Sequence, residues 1–318
     1  MDSKDFEILA ALHEDARQSF RSVGYQVSLT APAVRERLSR LKRGNILRGY
    51  GLWIDPCVFD REEVVMFFRG ERTRQEFLGV LRATDVARAV WKLEGGVTVV
   101  VWTRDPTRAI EQLSTFLKEK PTGHALTERR SLGPLTVLDW EIIDALIDNP
   151  VLPFKRLVES TRLSPKTVRK HLRTLLQSRA IAVDPLLGAV EGSGELVYTL
   201  AVDGKSPMRE LRNILGAATL IRQTHDPPMK MLLCQSRDLS EMTTRTMELR
   251  KLSGVNSAMV SLNREVLFAN KFIHSLVREK ILALQKARTA HCTACRTTWD
   301  SIARSTPSKR SSSSETNR

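Results

Sequence analysis

A short stretch near the N-terminus carries apolar side chains at the spacing of one helix face. Val34, Leu38 and Leu41 recur four and three positions apart, so they fall on the same side of an α-helix. Thr30 is a suitable N-cap, and Pro32 stands in the first turn, where its missing N–H group costs nothing. The pattern therefore predicts a short amphipathic helix with an apolar back.

The opposite face of this predicted helix, which we call its front, is strongly cationic. Its charged positions are five basic residues and one acid, namely Arg35, Arg37, Arg40, Lys42 and Arg43 with Glu36. A short helix with an apolar back and a cationic front is typical of a reading helix placed in the major groove of DNA. A solvated surface helix shows the same pattern, so this helix alone leaves both interpretations open.

The chain contains this helix a second time, at an offset of 134 residues. Val168, Leu172 and Leu175 repeat the apolar positions, and residues 162–179 hold six Lys or Arg and no Asp or Glu. The correspondence continues upstream without a gap, where Asp5, Glu7, Ile8, Ala11, Leu12 and Phe20 match Asp139, Glu141, Ile142, Ala145, Leu146 and Phe154. Two cationic fronts, each with its own apolar back, favour the DNA-reading interpretation.

The flanking patterns predict that each reading helix belongs to a winged helix-turn-helix. Apolar stripes predict helices over residues 5–13 and 19–27, ahead of the first reading helix. After that helix, residues 45–54 alternate like a strand pair, or wing. Three helices and a wing define a winged helix-turn-helix over residues 1–54, and its repeat covers residues 134–188.

A predicted ferredoxin-like module follows each winged unit. In residues 62–133, and again in residues 195–268, strand and helix patterns alternate in the order β-α-β-β-α-β. The fold class is therefore α+β, with two winged helix-turn-helix domains alternating with two ferredoxin-like domains. Residues 270–290 are predicted as a basic amphipathic helix. Residues 291–318 are predicted as a disordered basic tail, since the chain has no apolar content from Ser305 onward.

The charge balance points to an anionic partner. The 318 residues carry a formal net charge of +14 and a pI near 10.0, with nucleic acid the first candidate partner and a membrane surface the second. Half of that charge lies in residues 271–318, with a net charge of +7, and residues 35–48 have a net charge of +5. An apolar fraction of 42% is ordinary for a soluble globular protein. Neither an apolar run of about 18 residues nor a signal-peptide pattern is present, so we expect a cytoplasmic protein without a membrane partner.

Two short motifs precede the first reading helix. Residues 5–12 follow the pattern Asp-x-x-Ile-Leu-x-x-Leu, and residues 14–19 read Glu-Asp-Ala-Arg-Gln-Ser. With the basic reading helix and the ferredoxin-like module that follow, they resemble the Lrp/AsnC family of transcription regulators, well over residues 1–133 and more loosely over residues 134–268. The resemblance implies a cytoplasmic repressor or activator that binds DNA as dimers or larger assemblies. It also implies an amino acid or similar effector on the ferredoxin-like module.

The effector element implied by this resemblance is altered in both modules. The turn between the second and third strands of family members usually carries Gly-x-x-Asp near the effector site. Here residues 95–98 read Gly-Gly-Val-Thr, without an acid, and residues 225–228 of the second module read His-Asp-Pro-Pro. The sequence thus leaves open whether either module binds a small-molecule effector.

The tandem arrangement predicts a mechanism. Lrp/AsnC proteins gain two reading helices by dimerising, whereas this chain carries two covalently and can act as a pseudo-dimer, alone or in a homo-oligomer. A covalent link makes engagement of the second helix intramolecular, at a high effective concentration. Because the two fronts differ in sequence, we expect an asymmetric operator whose half-sites lie about one helical turn apart.

Twelve residues are the candidate contacts to double-stranded DNA. Arginine reads guanine through bidentate contact, and lysine is the more general phosphate partner. We assign base edges to Arg35, Arg40 and Arg169, and phosphates to Lys42, Arg43, Arg48 and Lys170. Ser39 and Thr167 suit either role, and Arg37, Lys166 and Arg173 complete the set. His171 also lies on the second front, as a DNA contact or as plain surface.

A Cys-x-x-Cys pair near the C-terminus has metal-ligand spacing. Cys292 and Cys295 suit a zinc knuckle, but no second pair follows them, and Cys57 and Cys234 are isolated in sequence. We therefore predict no bound metal and no cofactor, with Cys292 and Cys295 as the candidate ligands if a metal is bound.

Two other function classes share features with this chain. Sirohaem decarboxylases resemble Lrp/AsnC proteins, and such an enzyme would need a histidine facing its porphyrin pocket, for which His124 or His225 could serve. The basic C-terminal segment by itself would suit a membrane-surface or RNA-binding protein. We favour a non-enzymatic regulator, because both reading helices keep a cationic front that a decarboxylase does not need.

Overall fold

The computed structural model describes the backbone of residues 1–188 and 195–304, and side chains as far as residue 287. The helices are α1 (Ser3–Glu14), α2 (Phe20–Val27), α3 (Ala31–Arg43), α4 (Arg74–Val80), α5 (Pro106–Leu117), α6 (Val137–Ile147), α7 (Phe154–Thr161), α8 (Pro165–Gln177), α9 (Met208–Leu215), α10 (Leu239–Leu249) and α11 (Asn270–Arg304). The strands are β1 (Leu47–Ile54), β2 (Glu62–Phe68), β3 (Val86–Lys92), β4 (Val97–Thr103), β5 (Gly123–Thr127), β6 (Ile181–Leu187), β7 (Leu196–Gly204), β8 (Ala218–Asp226), β9 (Met229–Ser236), β10 (Val255–Ser261) and β11 (Asn263–Phe268). A short 3-10 turn, Pro56–Phe59, follows β1.

The helices of the two winged units form where the sequence pattern predicts them. The reading helix α3 begins behind Thr30, whose side chain accepts a hydrogen bond from the backbone of the third helical residue, and α8 begins in the same way behind Ser164. The apolar backs are buried, since Val34 and Val168 have no solvent exposure at all. Local capping and the 3.6-residue period thus account for both reading helices.

The two winged units share one hydrophobic core. Apolar side chains of α1, α2 and α3 belong to the same buried cluster as those of α6, α7 and α8. At its centre the Phe59 ring lies 5.8 Å from that of Trp102 and 5.2 Å from that of Trp140. Phe59 follows the first winged unit, Trp102 lies in β4 and Trp140 lies in α6. These two ring contacts therefore connect both winged units to the first ferredoxin-like module.

The wing differs from the sequence prediction. Residues 45–54 do not fold back on themselves as a strand pair; β1 is one strand and runs antiparallel to β6 of the second unit. Leu47 lies opposite Leu187, and Ile54 lies opposite Ile181, the offset equivalent of Leu47. Equivalent segments thus pair around a local pseudo-twofold axis. The backbone groups of β1 therefore find their partners on the other unit instead of in a local hairpin.

Both ferredoxin-like modules have the predicted β-α-β-β-α-β order. The strands of the first module lie in the order β5-β2-β4-β3, and those of the second in the equivalent order β10-β7-β9-β8. Helices α4 and α5 cover one face of the first sheet, and α9 and α10 cover one face of the second. The opposite faces turn inward, toward the other module and the winged units.

Strand pairing joins the two modules into one sheet of nine strands. The strands β5 and β8 pair with each other, and β11 pairs with β3, so the second module borders the first on both sides. Although β10 and β11 stand at opposite ends of the strand order, Leu262 alone separates them in sequence, and its carbonyl accepts a hydrogen bond from the Leu93 N–H at 2.8 Å. The chain therefore passes directly from one end of the strand order to the other, without a pairing between β10 and β11. The predicted boundary of 195–268 assigned β11 to the second module, whereas β11 completes the sheet of the first.

The C-terminal helix is longer than the sequence predicts. Because α11 runs unbroken to Arg304, the predicted helix end and the predicted disorder of residues 291–304 need correction. The reason is local, since no glycine or proline interrupts α11 and the first proline after it is Pro307. The rest of the predicted tail, residues 305–318, lies outside the described residues.

Candidate nucleic-acid interface

The front of α3 exposes five of the predicted contacts, and four of them have no acidic partner in the described residues. Arg35, Lys42 and Arg43 are exposed, and no acidic side chain pairs with them in the described parts of the chain. Ser39 is exposed as well, and its hydroxyl donates to the Arg35 carbonyl at 2.9 Å, which leaves the hydroxyl oxygen available as an acceptor. These side chains face solvent on the side opposite the buried back of the helix.

Arg37 and Arg40, in contrast, are tied to the N-terminal helix. Arg37 Nη1 donates to Asp2 at 2.7 and 2.8 Å and to Asp5 at 2.9 Å, and Arg40 Nη2 donates to Asp5 at 2.8 Å. Asp5 is completely buried, so its carboxylate needs these partners. The assignment of Arg37 to the DNA-contacting front is therefore corrected, because a side chain with 24% exposure and three such bonds anchors α3 to α1. The side chain of Arg40 is 56% exposed and stays accessible on the front.

The electrostatics of this anchor favour the ionised carboxylates. Desolvation by itself would raise the pKa of Asp2, but the hydrogen bond and the charge of Arg37 lower it below the ordinary value. The same hydrogen bonds raise the pKa of Arg37. The pair is therefore charged over the whole physiological range.

The basic side chains on the front of α8 have fewer acidic partners in the described residues than those on the front of α3. Lys166, Arg169, Lys170 and Arg173 are all exposed, and none forms an ion pair within residues 1–188 and 195–287. Thr167 is half-buried, and its hydroxyl lies 2.8 Å from that of the N-cap Ser164. That hydroxyl therefore takes part in the helix cap, which weighs against the predicted role of Thr167 as a DNA contact.

The buried aspartate of the second unit has a different partner. Asp139 is the offset equivalent of Asp5, and His171 is the offset equivalent of Arg37. Asp139 Oδ1 lies 2.7 Å from His171 Nδ1, and Oδ2 accepts hydrogen bonds from the backbone and hydroxyl of Thr136. His171 thus braces α8 against α6, a role that differs from both sequence interpretations of this residue.

One arginine on each front lies over an aromatic ring of the preceding helix. The Arg35 guanidinium is 5.7 Å from the centroid of Phe20, and the Arg169 guanidinium is 5.2 Å from that of Phe154. Both pairs occupy equivalent positions of the repeat. A cation–π contact of this kind restricts the long side chain, so less conformational entropy is lost when it binds a partner.

Arg48 lies on the wing rather than on a front. Its Nη1 donates to the backbone carbonyl of Arg264 in β11 at 2.5 Å, and its Nε lies 3.4 Å from the carbonyl of Asn45. These bonds weigh against the predicted phosphate contact, although the side chain is exposed. This guanidinium fastens the wing to the ferredoxin-like part of the molecule.

A buried ionic cluster between the winged units and the sheet escaped the sequence analysis. Glu63 is almost fully buried, pairs with Arg222 and accepts hydrogen bonds from two tryptophan N–H groups at 3.1 and 3.2 Å. Burial would raise the pKa of Glu63, but the charges of Arg222 and Arg88 and the hydrogen bonds lower it. Arg88 lies 3.6 Å from Asp184, and burial lowers its pKa to about 10. The one available signal was a charged residue inside an apolar strand pattern, in β2 and again in β3.

The cysteines are poor ligands where their side chains are described. Cys57 is half-buried and Cys234 is buried, and burial raises the pKa of each thiol to about 12. No group of three or more metal-ligating side chains occurs in the part of the chain that the structure describes. Cys292 and Cys295 lie on α11, where the side chains are outside the described residues.

The two histidines of the enzyme alternative are exposed. His124 lies on β5 and His225 on β8, two strands that pair with each other. Neither histidine lines the large cleft of about 990 Å³ between the winged units and the sheet. Among the described residues, no helix is both long and apolar enough to cross a membrane.

Both winged units match known DNA-binding domains. Residues 1–42 match the AsnC-type helix-turn-helix domain, and residues 135–181 match a winged helix-turn-helix DNA-binding domain. The HTH-type transcriptional regulator Rv2324 of Mycobacterium tuberculosis is 40% identical over 91 residues, which cover 29% of this chain and 57% of that protein. The HTH-type transcriptional regulator Ptr1 of Methanocaldococcus jannaschii is 28% identical over 123 residues, which cover 38% of this chain and 81% of that protein. The chain thus spans little more than half of the mycobacterial relative.

Two kinds of solved structure resemble the chain. The siroheme decarboxylase NirDL is 12% identical, with 88% of this chain and 99% of that chain covered and a TM-score of 0.44. An AsnC family transcriptional regulator from Agrobacterium tumefaciens is 15% identical, with 43% of this chain and 95% of that chain covered and a TM-score of 0.29. Similarities this low do not assign a function.

Proposed function

Because residues 1–42 match the AsnC-type helix-turn-helix domain and residues 135–181 match a winged helix-turn-helix DNA-binding domain, we propose that the chain is an Lrp/AsnC-type regulator that controls transcription by binding double-stranded DNA through α3 and α8. The two helices read two half-sites of one asymmetric operator. A single polypeptide supplies both readers, and a homo-oligomer or a small-molecule effector adds to this arrangement without being needed for it.

The observation that carries this proposal is the pair of exposed cationic fronts on capped, buried-back helices. In each unit the fully buried valines Val34 and Val168 fix the back of the helix, so its front is presented to solvent in a defined orientation. Exposed lysines and arginines on such a front displace counterions from the phosphate backbone, which gives affinity. Bidentate arginine contacts to base edges give specificity.

The pairing of β1 with β6 supports simultaneous use of both helices. Equivalent segments cross antiparallel, as they do around the axis of a symmetric dimer. Two helices related in this way can face the same side of a duplex and enter successive major grooves. The covalent connection then makes the second engagement intramolecular.

The asymmetry of the operator follows from the side chains that remain available. The first front offers Arg35, Arg40, Lys42 and Arg43, with Arg40 sharing its charge with Asp5. The second front offers Lys166, Arg169, Lys170 and Arg173, and no acid pairs with them in the described residues. Different donors at different positions favour different half-sites.

Selection of bound duplexes from a random DNA pool, with the purified full chain, tests the proposal. We expect an enriched site with two unlike halves, bound by one chain as judged from the mass of the complex in solution. Enrichment of a single half-site, or of a palindrome bound by two chains, would contradict the two-reader mechanism. No enrichment at physiological salt would contradict sequence-specific DNA binding altogether.

A further inference from the structure

A chamber lies between the inner faces of the two ferredoxin-like modules. The chamber measures about 90 Å³, and β6 passes along one side of it. One buried water needs about 10–15 Å³, so this volume has room for roughly six to nine atoms of similar size. None of the DNA-contact candidates on α3 or α8 lines it, so the chamber is separate from the proposed DNA interface.

Strand alternation decides which side chains reach the chamber. On β3, the side chains of Arg88, Val90 and Lys92 turn inward, while Ala89 and Trp91 belong to the core under α4 and α5. The inner faces of β7, β9 and β10 supply the opposite wall, and β11 extends the wall that contains β3. The chamber is therefore built from both modules.

Lys92 is the unusual member of this lining. Only 6% of it is exposed, and its ammonium group makes no hydrogen bond and no ion pair of 4 Å or less in the described parts of the chain. Its one close partner is the ring of Phe67, with the ammonium 5.7 Å from the centroid. The charge of the exposed Glu94 favours the ammonium and the charge of Arg69 disfavours it, but neither side chain is bonded to Lys92. A buried lysine without a directly bonded acid is costly, which favours an anion as the missing partner.

Hydroxyl groups surround the same end of the chamber. Asn263 lies opposite Lys92 in the strand pairing, and its side-chain amide donates to Thr199 Oγ1 at 2.9 Å. The Thr199 hydroxyl therefore keeps its own proton to donate. Thr98 is 96% buried and lines the chamber; it lies opposite Val90, two residues from Lys92 along β3. Lys92, Thr98 and Thr199 together form a donor cluster suited to a carboxylate.

The remaining walls are apolar, and they include Val90, Ala201, Met231, Met259 and Val266. Asp184, on β6, is the one acid among the described lining residues. It lies near Arg88, at the end of β3 that is away from Lys92. It is already engaged, at 3.6 Å from Arg88 and 3.8 Å from His13. An amino acid would bring an ammonium group into this site without a free acid to receive it.

We propose that the chamber binds a small monocarboxylate with a short aliphatic tail and no amino group. The carboxylate pairs with Lys92 and accepts hydrogen bonds from Thr98 and Thr199, and the tail lies along the apolar wall. Seven heavy atoms, as in isovalerate, match the estimated room. The ligand contacts both modules and therefore favours the arrangement in which their inner faces are packed together.

The ionisation of Lys92 supplies an independent signature. Burial lowers the pKa of Lys92 in the unliganded chamber. A bound carboxylate raises that pKa again, so binding is accompanied by proton uptake when the pH lies near or above the lowered value. The affinity for the acid then falls as the pH rises.

Isothermal titration calorimetry of the full chain with isovalerate, isovaleramide and leucine tests this site. We expect isovalerate to bind, and the amide and leucine to bind at least about tenfold more weakly, because one lacks the charge and the other adds an ammonium. Titrations in buffers of different ionisation enthalpy should show proton uptake. Absence of isovalerate binding up to roughly 10 mM, or equal binding of the three probes, would overturn the proposal.

Variants separate binding from folding. Lys92→Met keeps the length and apolar stem of the side chain and should weaken isovalerate binding at least about tenfold, whereas Lys251→Met, at an exposed lysine, should not change it. Thr98→Val removes one donor at constant shape and should weaken binding by about three- to tenfold. Circular dichroism reports whether each variant is folded. Wild-type affinity in folded Lys92→Met, or in folded Thr98→Val, would contradict the assigned donor cluster.

Discussion

The two winged units arise from one sequence pattern, yet they hold their reading helices differently. In the first unit the buried Asp5 binds Arg37 and Arg40. In the second unit the equivalent Asp139 binds His171, and the position of Arg40 is taken by Thr174. A buried acid braces the reading helix in both units, but in the first unit it does so with cations that the pattern had assigned to DNA.

This difference shows that the number of basic residues on a helix is not the number available to a ligand. An arginine that neutralises a buried carboxylate would leave that carboxylate unpaired if it moved to DNA, and the cost would offset the new contact. The first front is therefore weaker than its composition indicates. The second front, with fewer arginines, keeps its full charge.

The largest expected effect is on the stability of the protein, when the buried aspartate that holds the reading helix is replaced. Asp5→Asn removes the charge that holds Arg37 and Arg40 and should lower the free energy of unfolding by about 3 kcal/mol. The matched change Asp139→Asn weakens a hydrogen bond to His171 and should cost about 1 kcal/mol. Urea unfolding followed by circular dichroism measures both. Equal losses in the two variants would contradict the comparison.

Next in size is the effect of single arginines on DNA affinity. Arg169→Ala removes a base contact and should weaken binding to the selected operator about tenfold or more. Arg37→Ala should lower the stability of the protein and change the operator affinity less than about threefold. Fluorescence anisotropy well below the unfolding temperature gives both affinities, with Arg209→Ala, an exposed arginine on α9, as the control. A larger loss of operator affinity for Arg37→Ala than for Arg169→Ala would show that Arg37 contacts DNA.

The salt dependence of binding sharpens the comparison further. Lys170→Ala should reduce the slope of log K against log salt by about one unit and weaken binding to all DNA sequences alike. Arg48→Ala should leave that slope unchanged, because the guanidinium binds the backbone of β11. Titrations between about 50 and 200 mM salt measure the slopes. A reduced slope for Arg48→Ala would show that the wing touches phosphate.

The smallest expected effect concerns α11, which packs on the second unit. His274 lies 2.7 Å from Asp144 and 3.1 Å from Asp148; desolvation would lower its pKa, but the two aspartates raise it. Because the folded pKa exceeds the unfolded value of about 6.5, this stabilisation is complete below about pH 6.5 and is lost as the pH rises through the folded pKa. His274→Gln should therefore destabilise the protein, by less than about 1 kcal/mol, at about pH 5.5 more than at about pH 8.5. A larger loss at the higher pH would contradict the sign.

Local sequence signals were sufficient for most elements of the fold. The period of apolar residues, the capping side chains and the turn signals predicted the reading helices and the β-α-β-β-α-β order of both modules. The offset of 134 residues predicted the duplication. The same signals underestimated the length of α11. The helix continues through residues 291–304 because no glycine or proline interrupts it, and not because of an apolar stripe.

The helices, the strands, the repeated organisation and the positive charge of both fronts could be predicted from the sequence, because each depends on neighbours a few positions apart. The pairing of β1 with β6, the pairing of β11 with β3 and the bonds of Arg37 to Asp2 and Asp5 depend on contacts between distant parts of the chain. A strand edge offers the same N–H and C=O groups to any partner, so its choice is made by the whole fold. A charge, likewise, is available to a ligand only if the folded chain has not already paired it.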